Sequence, residues 1–146
     1  PKGVLGMLRF WPVLFLFMVL TSMAMSQYPA QGVVTELKSD LETKGLAIVP
    51  QWFLLVCILA PLIEEFLFRG VLYPLLKKHV GVFWGCLLSS LAFALSHQNL
   101  RSFVVLFLLG AFLTYSYEKN NNILVPMTSH AFFNALMLGI MLSDVA

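Results

Sequence analysis

Charge is what this sequence has least of. Lys, Arg, Asp and Glu make up 11% of the 146 residues, under half of the ~25% usual for soluble domains. With 60% hydrophobic residues and a mean hydropathy of +0.87, that scarcity excludes an ordinary water-soluble domain and points to an integral membrane protein. The net charge is only +2, and there is no basic patch or RNA-binding aromatic motif, so nucleic acid is not an expected partner. Cysteine is limited to Cys57 and Cys86. Both lie in apolar runs, outside any C-x-x-C or zinc spacing, and read as small buried hydrophobes. H-E-x-x-H is missing, and no serine or cysteine stands in a recognisable nucleophile motif. Internal repeats and low-complexity tracts are missing too.

What the chain does have is long apolar stretches, enough for about five membrane-crossing helices of ~20 residues. The first runs from Leu8 to Met25, with Pro12 near its start, where proline is tolerated. Lys2 and Arg9 precede its apolar run from Phe10 to Met25, as in a signal peptide, but further membrane segments follow and a retained first helix is expected. Gln27 to Lys44 is the hydrophilic region. There Val34, Leu37 and Leu41 recur at helical spacing among Glu36, Lys38, Asp40, Glu42 and Lys44. That pattern predicts an interfacial amphipathic helix ending at Gly45, its mixed charges forming a solvated face.

The second span enters near Gln51, kinks at Pro61 and runs to Lys77-Lys78-His79, with a turn at Gly81. The third is Val82 to His97. The fourth is Ser102 to Tyr117, stopped by Asn120, Asn121 and Asn122, and the fifth is Ile123 to Leu142. The expected fold class is all-α, a polytopic membrane helix bundle of about five transmembrane helices with one interfacial amphipathic helix. Residues 1–45 supply the first helix and the interfacial one, and residues 46–146 supply the core. Gly81 and Gly85 form a G-x-x-x-G pair of the kind that lets helices approach closely. Lys2, Arg9, Lys77, Lys78 and Lys119 outnumber Lys38, Lys44 and Arg101, which favours the first set for the cytoplasmic or stromal side.

Inside these spans the polar residues form a short list: Glu64, Glu65, Arg69, His97, His130 and Asn134. A charge near the bilayer centre costs about 2.5–3.5 kcal/mol even on lenient scales, so such residues mark function. Glu65 and Arg69 are four apart on one helical face, acid first, the better orientation for a pair. Glu64 is rotated by roughly 100° from Glu65 and is left available. Counted from the turn near Val80, Glu64 and His97 lie at nearly equal depth, ~24–26 Å along antiparallel helices. His130 fits less well, at ~15 Å from the Asn120 turn, a shortfall of ~10 Å. Asn134 shares its face, four residues on.

A carboxylate beside a histidine can take a proton from water and direct it at a carbonyl. A second histidine and an amide can donate hydrogen bonds to the developing oxyanion. Together these residue types describe peptide hydrolysis with water as nucleophile. Glu64, His97 and His130 could alternatively supply three ligands to a metal such as zinc with one open position.

E-E-x-x-x-R at Glu64, Glu65 and Arg69, F-x-x-x-H at Phe93 and His97, and H-x-x-x-N at His130 and Asn134 occur in that order. The stretch from Gln51 to Met141 thereby resembles the CPBP family, also called Abi or CAAX-protease-like, which includes Ras-converting prenyl-protein endopeptidases and bacteriocin-immunity proteins. The phrases A-P-L-I-E-E-F-L-F-R-G and N-I-L-V-P-M-T-S-H look like cyanobacterial and plastid members, which would place the chain in a cyanobacterial or chloroplast membrane. The resemblance implies an intramembrane endopeptidase in which Glu64 activates water with His97, His130 and Asn134 stabilise the oxyanion, and Glu65, Arg69 and Phe93 support the site. No cofactor is required in this glutamate mechanism. The implied partners are membrane lipid and a membrane-associated protein or peptide, with prenylated substrates in view. A non-catalytic subunit of a larger membrane complex on the same fold is the alternative, and bis-histidine haem ligation by His97 and His130 a remote one.

Overall fold

Two prolines set the shape of the longest helical run. Proline has no N–H, and its ring collides with the carbonyl four residues back, so an α-helix cannot carry it unchanged. The computed structural model describes residues 2–143. In it, the chain meets Pro61 and Pro74 by widening: Phe53–Leu59 and Phe66–Leu72 are π-helical, each ending two residues before a proline. The Ala60 N–H donates to the Leu55 carbonyl and the Tyr73 N–H to that of Phe68, five residues back in both cases. Between the two wide stretches lies the α-helical Ala60–Glu65. Single π turns inside α-helices recur at functional sites, and this pair brackets the glutamates.

All described residues that form regular structure are helical, as the sequence predicts. Helix α1 is Lys2–Ala24 and α2 is Gly32–Lys44, ended by Gly45 at φ 64°. A short 3-10 turn, Gly45–Ile48, leads into α3, residues 49–80. At Gly81 the backbone takes φ 80°, ψ 175°, a conformation in which only glycine is at ease. The chain there folds back into α4, residues 82–96. Helix α5 is Phe103–Asn120, closed by Asn121 in the left-handed region, and α6 is Leu124–Ser143. Pro1 and residues 144–146, the outer ends of the divisions at 1–45 and 46–146, lie outside the described residues.

Three helical runs are long and apolar enough to cross a membrane: Lys2–Ala24, the 65-residue Gly32–Ser96 and Leu124–Ser143. The 65-residue run is the interfacial helix followed by a hairpin, so it accounts for two of the expected spans. Helix α5 is not among the three because its last turn is polar, but it is central, with Leu109 and Leu113 wholly buried.

The core has two parts. Met7 and Leu14 of α1 pack with Phe93, Leu109, Leu113 and Phe133, and Phe10 stacks on Phe112 at 4.8 Å. Leu37 and Leu41 of α2 pack with Trp52 and Leu138. The Trp52 indole donates to Asp40 at 3.0 Å, which ties α2 to α3. Hydrogen bonds from Lys44 and Trp52 hold the Asp40 carboxyl below its usual range. The outer faces are apolar instead of polar: Ile63 and Phe66 are each 59% exposed, while Glu65 and Arg69 on the same helix are 0%. That inversion is what lipid as solvent requires.

Glycine sets the closest approaches. A Cβ on Gly85 would meet the Lys77 backbone nitrogen at 3.0 Å, and one on Gly110 would meet Ser90 Cα at 3.1 Å. Gly110→Val is therefore expected to force α5 from α4 and to lower stability by about 1–3 kcal/mol, the usual cost of overpacking. Unfolding of the variant in detergent micelles would check this, and an unchanged midpoint would refute it.

Candidate active site

The buried end of the site is built around Glu65. Its Oε1 accepts from Arg69 Nη1 at 2.7 Å and from His130 Nδ1 at 2.9 Å. Arg69 also donates through Nη2 to the Gly110 carbonyl at 3.0 Å, and its guanidinium lies 4.7 Å above the Phe93 ring centroid. The Glu65 and Arg69 side chains are both 0% exposed. An ion pair this deep needs further hydrogen bonds on both partners, and here a ring, a backbone carbonyl and an aromatic face take part, while Glu65 Oε2 and Arg69 Nε have no hydrogen-bond partner in the protein.

Glu64 projects from the same turn in a different direction. Its Oε2 stands 4.0 Å from His97 Nε2 and 3.8 Å from His130 Nε2. This oxygen is out of solvent and has no hydrogen-bond partner in the protein. His97 Nδ1 lies 2.8 Å from the Phe93 carbonyl, and His130 Nδ1 lies on the Glu65 carboxylate. In each neutral ring the Nδ1 proton is fixed by its acceptor, which leaves Nε2 as a lone-pair acceptor facing Glu64. Three acceptor atoms thus converge on one spot. Phe93, wholly buried, packs edge-on against both imidazoles with centroids 4.9 and 5.7 Å away. Asn134 donates through Nδ2 to the Val56 carbonyl at 2.8 Å.

A cavity of about 630 Å³ opens onto this spot, with Glu64, His97, His130 and Asn134 on its lining and apolar walls that include Leu37 and Trp52. The structure brings together Glu64, Glu65, Arg69, Phe93, His97 and His130, and Asn134 lines the same cavity. The shortfall of His130 along its helix disappears. Lys77 reaches Glu118 at 2.6 Å, so the hairpin tip at Gly81 projects beyond the Asn120 turn. In addition, the π stretch Phe66–Leu72 lies between Glu64 and that tip and rises less per residue than the α-helix assumed in the count.

The family model described as "Type II CAAX prenyl endopeptidase Rce1-like" matches residues 47–136, more than half of the chain and inclusive of Glu64, Glu65, Arg69, Phe93, His97, His130 and Asn134. The chain belongs to this family. Among curated relatives, it is 23% identical to the "Putative membrane peptidase YdiL" of Bacillus subtilis over 99% of this chain and 61% of that protein. It is 33% identical to an "Uncharacterized 24.3 kDa protein" of Escherichia coli over 77% of this chain and 52% of that one. With the "Membrane-embedded CAAX protease MroQ" of Staphylococcus aureus it shares 28% identity over 62% and 39%. The chain thus spans about two-fifths to three-fifths of the length of these relatives. No solved structure matches it significantly.

In this Rce1-like chain, the trio Glu64, His97 and His130 can be tested as a metal site. Ligands bonded to tetrahedral zinc at ~2.0–2.1 Å stand about 3.3 Å from one another. The carboxylate-to-ring separations of 4.0 and 3.8 Å are wider, and no group of three His, Cys, Asp or Glu among the described residues is placed to hold a metal ion. The donor set does not fit zinc in this geometry. Two further members of the site are backbone carbonyls, those of Gly110 and Val56, which no side-chain motif announces. Only Pro61 hinted at the second.

Proposed function

We propose that this chain is the working part of an intramembrane endopeptidase that hydrolyses a peptide bond with activated water. The observation that carries the proposal is the convergence of His97 Nε2 and His130 Nε2 on Glu64 Oε2. A water held at ~2.8 Å, the usual O–H···O distance, from two acceptors 4.0 Å apart subtends about 90° at its oxygen, close to its own bond angle. Once a small rotation of the carboxylate opens the solvent-excluded Oε2, Glu64 and His97 can therefore hold one water by both hydrogens and aim its lone pair into the cavity. Glu64 takes the proton as the water oxygen bonds to the substrate carbonyl. When the His130 ring binds a second proton from cavity water, its Nε2 turns from acceptor to donor and bonds to the resulting oxyanion, with Glu65 compensating the charge on the ring, and Asn134 donates from its amide. Collapse of the intermediate returns the Glu64 proton to the leaving amine.

The apolar cavity walls suit a membrane-embedded or lipid-modified peptide, and the family description supports a prenylated one. The cyanobacterial or plastid setting rests on the two sequence phrases alone, the three relatives being from other bacteria. Bis-histidine haem ligation gains no support from a geometry in which both Nε2 atoms face a carboxylate. The deciding experiment incubates the purified full chain, in mixed detergent–lipid micelles, with an internally quenched peptide ending in farnesyl-cysteine and three further residues, and with its unprenylated counterpart. Cleavage of either, mapped to one bond by mass spectrometry, is the expected result. Intact peptides after prolonged incubation with folded protein would overturn the proposal.

A further inference from the structure

The hydrogen bond from Asn134 to Val56 has an origin in the main chain of α3. In the wide stretch Phe53–Leu59 the register is i→i+5, shown by Ala60 N–H on the Leu55 carbonyl. The next bond in that register would run from residue 61 to the Val56 carbonyl. Residue 61 is proline, and it has no proton to give. The α-helical alternative is closed as well, because Ala60, which would serve Val56 in that register, is already committed to Leu55. Val56 therefore presents a half-buried carbonyl with no helical donor, an arrangement that costs free energy until something pairs with it. The Asn134 amide does so at 2.8 Å.

We infer that Pro61 is a positioning residue for Asn134: by withholding its N–H it leaves the Val56 carbonyl free to fix the amide. A carbonyl accepts only from the nitrogen side, so the flipped amide, with Oδ1 against the Val56 oxygen, is repelled. One N–H is thereby anchored on α3, and the second is left for the cavity that Asn134 lines. The same contact ties α6, which carries His130, to the helix that carries Glu64. A proline in a membrane helix here does more than kink it. It hands an acceptor to a neighbouring helix, and through that acceptor sets which way a reacting amide faces.

This role rests on the hydrolytic reading above, but its test does not have to. The chain has five asparagines, so protein labelled with ¹⁵N only at asparagine gives few side-chain NH₂ signals, and the Asn134→Asp variant assigns the relevant pair by its disappearance. In the wild type, in micelles, the two Asn134 amide protons are expected to be distinct and at least one to exchange slowly with solvent. Pro61→Ala restores a backbone N–H to compete for the Val56 carbonyl, and Pro61→Val does the same while keeping side-chain volume. Either is expected to speed that exchange about tenfold with an unfolding midpoint no lower than wild type. In the peptide assay the same variants should lower kcat about tenfold and leave KM within twofold, and Pro61→Ala added to Asn134→Asp should cost nothing more, since both act through one amide. Unchanged Asn134 signals in both proline variants would overturn the inference whatever the assay shows. So would multiplicative losses in the double variant. Failure of the wild type to cleave any peptide would instead count against the hydrolytic reading, with the exchange measurement still deciding the role of Pro61.

Discussion

Glu64→Gln should lower kcat/KM by about a thousandfold while leaving the fold and its stability intact. The substitution keeps the shape of the side chain and removes its capacity to take a proton, and general-base catalysis of this kind contributes ~10²–10⁴-fold. A thousandfold loss corresponds to about 4 kcal/mol of transition-state stabilisation at ~1.36 kcal/mol per decade. Stability should hold because Glu64 Oε2 has no hydrogen-bond partner in the protein and the side chain is 28% exposed, so the resting fold depends little on its charge. The check is a pair of measurements on one preparation: cleavage of the quenched peptide and the unfolding midpoint in the same micelles. Activity within twofold of wild type in folded protein would remove Glu64 from the mechanism. A matching loss of stability would recast it as a structural residue.

How much of this was legible beforehand depends on where each partner lies in the chain. Glu65 with Arg69 needed only the i,i+4 rule, and Glu64 followed from the 100° step between neighbours, because all three sit on one helix. His97 was placed by counting residues from a single tight turn, and that count survives because α3 and α4 are joined directly at Gly81. His130 defeated the same arithmetic. Its depth depends on how far one hairpin projects past another turn, where Lys77 meets Glu118, and on a π stretch that no periodicity announces. The supporting carbonyl of Gly110 was invisible for a different reason: every residue has a carbonyl, and only tertiary contact selects that one, whereas the carbonyl of Val56 had Pro61 as its one signal. The amphipathic pattern of α2 was plain, but its place over the cavity was not. Leu37 and Leu41 called for an apolar surface without saying which. The charged residues read as a solvated face include Lys38, which lines the cavity together with Arg101.

The other large effect is expected at Arg69, and it separates stability from chemistry. Arg69→Met removes the 2.7 Å bond to Glu65, the bond to the Gly110 carbonyl and the contact with the Phe93 face in one step. What remains is a carboxylate at 0% exposure with only the His130 ring to answer it. Removing one partner of a buried ion pair costs about 3–5 kcal/mol, because the surviving charge is stranded away from water. The unfolding midpoint in micelles should fall accordingly. Adding Glu65→Gln should restore most of that loss, since the charge that made it costly is gone, and replacing both members of a buried pair is often close to neutral. Activity should not return with it. A glutamine at 65 can still accept the Nδ1 proton of His130, but it cannot compensate a positive charge on the ring when Nε2 turns donor toward the oxyanion. If Arg69→Met costs less than about 1 kcal/mol, the ion pair is not what holds these helices together. If the double variant cleaves peptide at the wild-type rate, Glu65 serves the fold alone and His130 acts without it.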